Sequence, residues 1–280
     1  MKLHFGPLGF FLALFCLGSA SAQTNPTPLI HAHAHNDYLH ARPLQDALER
    51  GFCSVEADIH LIGGQLLVAH DREKAVPAQT LQSLYLEPLR ERVRRNGGGV
   101  FAKGIPFTLL IDIKSEAEPT YAVLRHVLKE YTDLLTVFRP DATETRPVTI
   151  ILSGNRPQAL VEKEPVRYAA IDGRLPDLST NQPRHLIPLI SDKWTQTFQW
   201  RGVGSLPDEE RSKLREIVAR AHEQGRRVRF WAVPDISEAW RELRLAGVDL
   251  INTDRLDGLQ KFFLEQQRGQ GTNPISNHGN

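Results

Sequence analysis

The sequence has little cysteine, almost no net charge and only a short apolar run. Of the 2 cysteines, Cys16 lies in an N-terminal segment that we predict is removed, so Cys53 has no partner for an internal disulfide and reads as a small buried residue. A net charge of +1 gives no electrostatic case for binding nucleic acid. The apolar run Leu8 to Leu17 is too short to span a bilayer. Function must therefore be sought in local clusters of polar residues.

Residues 1 to 22 have the pattern of a cleavable secretory signal. A charged start and the apolar run are followed by the small residues Ala20-Ser21-Ala22, which predict cleavage before Gln23. Phe15 stands where a lipoprotein site would need a small residue, so lipid anchoring at Cys16 is disfavoured. We expect a secreted or periplasmic protein with a single domain over residues 23 to 265 and a flexible C-terminal tail over residues 266 to 280.

The stretch from residue 51 to residue 72, GFCSVEADIHLIGGQLLVAHDR, places acids and histidines around one short turn. Its first half alternates as a strand does, with Ser54, Glu56, Asp58 and His60 on one face and apolar residues on the other. Gly63-Gly64 predicts a hairpin turn that returns the chain to His70 beside the acids. Acids on a strand often mark a wet outer side, but here the apolar face suits packing against helices, which would turn the acids inward.

Strand patterns alternate with helical patterns along the whole chain. The helical patterns are clearest at 42 to 50, 80 to 95, 117 to 137, 207 to 224, 237 to 246 and 256 to 265. The predicted barrel strands cover 28 to 34, 53 to 61, 107 to 114, 147 to 153, 167 to 172, 186 to 191, 227 to 232 and 248 to 252. Since no glycine-rich dinucleotide fingerprint follows the first strand, this rhythm predicts an α/β protein with a TIM (β/α)8 barrel rather than a doubly wound sheet.

Functional-looking residues recur where the predicted strands end, which is where the active sites of such barrels lie. Charged residues scattered over a surface would not keep that register. The set comprises His35, Glu56, Asp58, Asp112, Lys114, Ser153, Asn155, Asp172, Asp192, Trp231 and Asn252.

The acids and histidines of this set permit phosphodiester chemistry. Glu56, Asp58 and Asp112 offer hard oxygen ligands for one Mg²⁺ or Ca²⁺ ion and would leave coordination positions open. Lys114 either pairs with Asp112 or neutralises a phosphoryl oxygen, and the two roles are compatible. In-line displacement at phosphorus needs one group to accept a proton and another to donate one.

Tryptophan is expected mainly to pack the core, as at Trp240 on a helical stripe. Trp231 ends a predicted strand, so it is a better candidate for lining the pocket, where its face would hold an alkyl portion or an ammonium head group.

These motifs resemble the phospholipase C-like phosphodiesterase superfamily, which includes glycerophosphodiester phosphodiesterases and sphingomyelinase D-type phospholipases. HAHNDY, YLEPL and LLIDIK look like its branch related to the altered-inheritance-of-mitochondria 6 proteins. The resemblance covers essentially the whole mature chain and implies a TIM barrel that hydrolyses phosphoric diesters. It implies His35 and His70 as catalytic residues and Glu56, Asp58 and Asp112 as ligands of Mg²⁺ or Ca²⁺. Residues expected to contact substrate are Lys114, Asn36, Trp231 and Asn252.

The sequence also departs from the glycerophosphodiesterase pattern. Asn36 stands where an arginine usually follows the first catalytic histidine, Asp112 replaces a glutamate, and no inserted subdomain precedes the third strand. All three features look more like sphingomyelinase D, so glycerol-specific recognition is not expected to follow. We expect a monomer that acts on a small-molecule or lipid phosphodiester, with transient contact to a membrane surface and no nucleic acid.

Several alternatives remain at the level of sequence. His33 could replace His35 if the first strand ends earlier, and His33-x-His35 is also a metal-ligand pattern of amidohydrolase-like enzymes. A barrel that binds phosphate or lipid without turnover is a further possibility. The attacking group is either water or a neighbouring hydroxyl of the substrate, which would give a cyclic phosphate.

Overall fold

The computed structural model describes residues 26 to 271, so the predicted signal, residues 1 to 22, and the end of the predicted tail lie outside the described residues. The strands are β1 (Leu29–Ala34), β2 (Phe52–Ile62), β3 (Gln65–Val68), β4 (Phe107–Ile113), β5 (Val137–Phe138), β6 (Thr143–Glu144), β7 (Val148–Gly154), β8 (Ala169–Gly173), β9 (Leu189–Lys193), β10 (Arg227–Trp231) and β11 (Leu250–Thr253). The helices are α1 (Gln45–Glu49), α2 (Glu87–Arg95), α3 (Ala117–Lys129), α4 (Gln158–Lys163), α5 (Trp194–Thr197), α6 (Asp208–Glu223), α7 (Ser237–Ala246) and α8 (Leu256–Gly271).

The main sheet closes on itself. Its parallel strands follow the order β1, β11, β10, β9, β8, β7, β4, β2, and β1 also pairs with β2. Eight parallel strands interleaved with helices form the predicted TIM barrel, which is confirmed. No helix within residues 26 to 271 combines the length and apolar character needed to cross a membrane.

The two faces of β2 show why the chain closes in this way. Val55, Ala57 and Ile59 are fully buried in the main apolar core on the outer side of the barrel. Glu56 and Asp58, on the other face, are also buried, at 4% and 0% exposure, because they point into the barrel. The prediction that the acids turn inward is therefore confirmed, and the wet outer face is wrong.

Strand β2 has its predicted bounds to within one residue, but the placement of the acids at its end is wrong. Asp58 pairs in register with Asp112 of β4, but beyond Ile59 the strand continues to Ile62 and pairs only with β3. Gly63 and Gly64 form the predicted turn, both with positive φ, as a type I′ turn requires. The acids thus lie within β2 rather than at its end, and the hairpin rises above the barrel rim.

Some predicted boundaries are wrong. Strands β8, β9 and β11 begin two or three residues later than predicted. For β8 the reason is that the backbone of Arg167 exchanges hydrogen bonds with Phe138, outside the barrel.

Four helices also differ from their predicted bounds. Helix α1 begins at Gln45 instead of residue 42, and the helix predicted over 80 to 95 is a π-helix (Gln82–Leu86) followed by α2 (Glu87–Arg95). Helix α3 ends at Lys129 instead of residue 137, since Thr136 donates its N–H to Val148 and β-branched residues favour this extended conformation. Helix α8 continues to Gly271, so the tail predicted from residue 266 begins inside a helix, as its glutamines and arginine permit.

The core residues behave as their types suggest. Cys53 is free and buried, and Trp240 is 2% exposed, so both predictions are confirmed. Trp194 stacks on Phe198 with ring centroids 4.0 Å apart and packs in the core below β9 and β10.

A buried carboxyl anchors the loop after β1. Asp37 is fully buried, and its Oδ2 accepts hydrogen bonds from the N–H of Leu44 (2.5 Å) and the hydroxyl of Tyr85 (2.9 Å). Its Oδ1 has no hydrogen-bond partner. Burial raises the pKa of Asp37 to about 7, and these two hydrogen bonds only partly oppose the rise.

We expect Asp37 to make folding pH-dependent. Its pKa is higher in the folded protein than its ordinary value of 3.8, so the folded state holds the proton more tightly. The contribution of Asp37 to stability should therefore be greatest below about pH 4 and fall by up to roughly 4 kcal/mol as the pH rises through about 7, because a charge must then stay buried. Urea unfolding of wild type and Asp37→Asn between about pH 5 and pH 8 measures this contribution. Asp141→Asn, at an exposed position, is the control, and equal pH dependence in wild type and Asp37→Asn would contradict the expectation.

Candidate active site

Three carboxylates meet at the upper end of the barrel interior. Glu56 and Asp58 point inward from β2, and Asp112 points inward from β4, in register with Asp58. One oxygen from each lies within 4.8 Å of the other two. The structure therefore brings together the three residues that were predicted as metal ligands.

Asp58 contacts three polar side chains, and all three contacts involve its Oδ2 oxygen. Its Oδ2 accepts a hydrogen bond from Tyr38 (2.6 Å), lies 2.9 Å from Nδ1 of His70 and 3.1 Å from Nζ of Lys114. Its Oδ1 is buried and has no hydrogen-bond partner. A buried carboxylate oxygen without a partner costs free energy unless a cation or donor meets it, so this site suits a divalent ion.

Asp112 and Lys114 are coupled by charge. Burial raises the pKa of Asp112 to about 6, opposed by the Lys114 ammonium 3.3 Å away and supported by the neighbouring charges of Glu56 and Asp58. The pKa of Lys114 is raised, because the two aspartates outweigh the effect of burial. Because burial is the main cause of this rise, a cation bound beside Asp112 would favour its charged form and lower the pKa again.

A buried arginine that the sequence analysis missed holds Glu56. Arg229 points inward from β10 and places Nη1 2.6 Å from Oε2 of Glu56, 2.6 Å from Nε2 of His33 and 3.2 Å from Oδ1 of Asn252. Burial works against ionisation of Glu56, but the charge of Arg229 outweighs it and holds the pKa of Glu56 well below its usual range. Arg229 lies two residues before Trp231 on β10 and therefore on the same face of that strand. This alternation is the sequence pattern that could have identified Arg229 as an inward-facing residue.

His33 is enclosed in this network. It is fully buried, and its Nδ1 lies 2.7 Å from Oγ of Ser54 while Nε2 faces Arg229. Burial and the Arg229 charge lower the pKa of His33 to about 4. The imidazole is therefore neutral, donates from Nδ1 and accepts from the guanidinium at Nε2.

His35 follows directly after β1 and is partly open to solvent, with a side chain 24% exposed. Its Nδ1 is 2.8 Å from Oδ1 of Asp254, which follows β11. Burial lowers its pKa, but the hydrogen bond to Asp254 and the charge of Glu56 outweigh this, so the pKa of His35 is raised overall. Asn36 has a left-handed backbone, φ 47°, and donates from Nδ2 to the same Asp254 oxygen at 3.3 Å.

His70 enters the site from the loop after β3. Its side chain is 56% exposed, and Nδ1 lies near Asp58 as well as 3.2 Å from the hydroxyl of Tyr38. The hairpin thus brings His70 to the acids, as the turn at Gly63-Gly64 suggested. Tyr38, in the HNDY motif, and Asp254, two residues beyond Asn252, were not singled out from the sequence.

Other strand-end residues contact each other rather than the acids. Ser153 donates to Asp172 (2.9 Å), which also pairs with Arg174 at 2.9 Å. Asn155 donates from Nδ2 to the backbone oxygens of Lys114 and Ser115, and Asp192 accepts from the backbone N–H of Leu175. These contacts support a structural role at the rim.

Trp231 lies at the rim as predicted, but one face of its ring is already covered. Nζ of Lys193 sits 5.3 Å from the ring centroid. An ammonium head group therefore has no place on that face, which already carries a cation.

Comparisons with known proteins agree with this architecture. The sequence-family model described as "AIM6-like phosphodiesterase domain" matches residues 21–172. The family model described as "Glycerophosphoryl diester phosphodiesterase family" matches residues 227–257. The chain is 33% identical to altered inheritance of mitochondria protein 6 of Eremothecium gossypii, over 84% of this chain and 69% of that protein. It is 28% identical to the homologue from Arthroderma benhamiae, over 84% of each.

A solved structure shares the fold. A glycerophosphodiester phosphodiesterase from Parabacteroides distasonis superposes with a TM-score of 0.52 at 15% identity, covering 87% of this chain and 99% of that one. At this identity the likeness extends to the barrel alone.

We expect Arg229 to be needed for stability because it neutralises a buried acid. Arg229→Leu would leave Glu56 charged and unpaired, at a cost of roughly 3 to 5 kcal/mol in the free energy of unfolding. Urea unfolding measures this loss. Arg42→Leu is the matched control, since Arg42 pairs with Asp46 and Glu49 on the exposed surface and its loss should change little. An equal loss of stability in both variants would contradict the prediction.

Proposed function

Because the chain belongs to the AIM6-like phosphodiesterase family, we propose that it is a metal-dependent phosphoric diester hydrolase acting on glycerophosphodiesters or (lyso)phospholipids. The proposal rests on the different surroundings of the two carboxylate oxygens of Asp58. Its Oδ2 contacts Tyr38, Lys114 and His70, while its Oδ1 is buried without a hydrogen bond, and one carboxylate oxygen of Asp58 lies within 4.8 Å of oxygens of Glu56 and Asp112. One carboxylate thereby links a cation site to a histidine that is open to solvent.

Glu56, Asp58 and Asp112 would hold Mg²⁺ or Ca²⁺. The all-oxygen donor set and the buried, unpartnered Oδ1 of Asp58 support this assignment. A bound ion would supply stabilisation of negative charge on the phosphoryl oxygens. Lys114, beside Asp58 and Asp112, would add a second positive charge on the same side of the diester.

His35 and His70, which solvent can reach, would move protons. Asp254 orients His35 through Nδ1 and leaves Nε2 for the substrate, and Asp58 does the same for His70. His33 is a poor alternative to His35, since it is fully buried and both of its nitrogens have partners. Either water or a hydroxyl of the substrate would serve as the nucleophile.

The remaining substrate contacts are proposed for Asn36, Trp231 and Asn252. Asn36 lies beside His35, and Trp231 lines the rim. Oδ1 of Asn252 accepts a hydrogen bond from Arg229, so Asn252 would contact substrate only through its side-chain amide nitrogen. The amidohydrolase-like alternative loses its support, because Nε2 of His33 faces the Arg229 guanidinium at 2.6 Å, where a metal ion would be repelled.

We expect the protein lacking residues 1 to 22 to cleave glycerophosphodiesters and lysophospholipids in Mg²⁺ or Ca²⁺ and to lose this activity in chelator. His35→Ala and His70→Ala should each lower kcat by roughly 10² or more, since each removes a general acid or base. Steady-state assays of product release measure both effects. His126→Ala, at an exposed position on α3, is the control and should keep full activity.

Two outcomes would contradict the proposal. Turnover that survives both chelator and His70→Ala would exclude the mechanism. A folded protein that binds metal but cleaves no diester would favour a barrel that binds phosphate or lipid without turnover.

We further expect Asp58→Asn to weaken binding of Mg²⁺ and Ca²⁺ by at least roughly tenfold, because a charged ligand becomes a neutral one of equal size. Isothermal titration of the apo protein measures this without substrate. Asp71→Asn is the matched control, since Asp71 pairs with Lys74 on the surface close to His70. Equal affinities of the two variants would exclude Asp58 as a ligand.

A further inference from the structure

A cation and an aromatic ring form a pair at the barrel rim that the proposed mechanism does not use. Lys193 ends β9 and Trp231 ends β10, and the two residues are in register. Along β9, Leu189 belongs to an apolar cluster inside the barrel and Ser191 accepts from the buried Arg229, so Lys193 has inward parity. Arg229 gives Trp231 the same parity on β10. Both side chains therefore rise from the inner face at the carboxyl ends of their strands.

The pair lies across the barrel mouth from the acids. In the closed ring, three strands separate β2 from β9 in either direction, and three separate β4 from β10. Glu56, Asp58 and Asp112 therefore stand on one side of the mouth and Lys193 with Trp231 on the other. A diester bound at the acids would extend one of its ester substituents toward Lys193.

The charge of Lys193 is available to a ligand. Within residues 26 to 271, Lys193 forms no ion pair with a carboxylate, and its described side-chain contact is the ring of Trp231, 5.3 Å from Nζ. Lys114 differs, since it lies within 3.3 Å of both Asp58 and Asp112. An ammonium at a rim without an acid partner attracts anions and repels cations.

We propose that Lys193 and Trp231 form a subsite for an anionic head group, so that the preferred diesters carry a carboxylate or second phosphate on the alcohol that extends across the rim. This inference rests on the proposed function and narrows its substrate class. The ammonium donates to the anionic oxygens, and the ring packs against the adjoining carbon atoms. Diesters of choline and ethanolamine are disfavoured, because their cation would meet Lys193 on the face that it already occupies.

Glycerophosphoserine and glycerophosphoethanolamine test this charge preference, since they differ by a single carboxylate. We expect wild type to favour the serine diester in kcat/KM by roughly fivefold, the scale of one partly exposed ion pair. Lys193→Gln should abolish the preference, and Lys193→Glu should reverse it. Each preference is the ratio of two kcat/KM values measured on the same variant. A smaller fraction of folded protein lowers both values equally and leaves the ratio unchanged.

Lys213→Gln is the matched control. Nζ of Lys213 also lies over an aromatic ring, 5.6 Å from the centroid of Phe198. Lys213 is an exposed residue of helix α6, so its loss should leave the preference unchanged. A wild type without preference, or a preference that survives Lys193→Gln, would overturn the subsite.

A binding measurement separates this inference from the proposed function. Quenching of tryptophan fluorescence compares O-phosphoserine with phosphoethanolamine and requires no turnover. One outcome is that the protein cleaves no diester but binds phosphoserine more tightly than phosphoethanolamine, and that Lys193→Glu removes this difference. This outcome would support the subsite and overturn the hydrolase. Cleavage of both diesters at equal rates, with equal binding of the two phosphates, overturns the subsite and leaves the hydrolase.

Discussion

The site depends on one buried carboxylate that three separate parts of the chain contact. Asp58 receives Tyr38 from the loop after β1, His70 from the hairpin that extends β2, and Lys114 from the end of β4. A fully buried aspartate is stable only when its charge is compensated. The requirement to compensate Asp58 therefore accounts for the positions of these three side chains, and it leaves the other oxygen buried without a hydrogen bond beside two further acids.

Below this level, a second charged group fills the barrel. Arg229 compensates Glu56, and burial together with the Arg229 charge keeps His33 neutral. Above it, charge is divided across the mouth, with acids at β2 and β4 and, at β9, the ammonium of Lys193, which has no acid partner among residues 26 to 271. In our proposal this division would orient an extended phosphodiester, with its phosphate at the acids and one substituent toward Lys193.

The predictions that succeeded depended on local patterns with a fixed period. Alternation in β2 places Glu56 and Asp58 on one face whatever the surrounding fold, and the two glycines after Ile62 permit only a tight turn. Predictions of where elements end were less accurate, as at α3 and β9, because strand and helix limits depend on backbone partners from distant segments.

The sequence by itself determined the barrel, the inward acids and the approach of His70, since these follow from periodicity and from contacts within a short stretch of chain. Only the tertiary structure decided which partner each group has. Arg229 reaches Glu56 across 173 positions, and Asp254 reaches His35 across 219. Such pairs form because closure of the barrel brings β10 and β11 back to β1 and β2. No local pattern encodes that distance, so only the closed fold distinguished the fully buried His33 from the partly exposed His35.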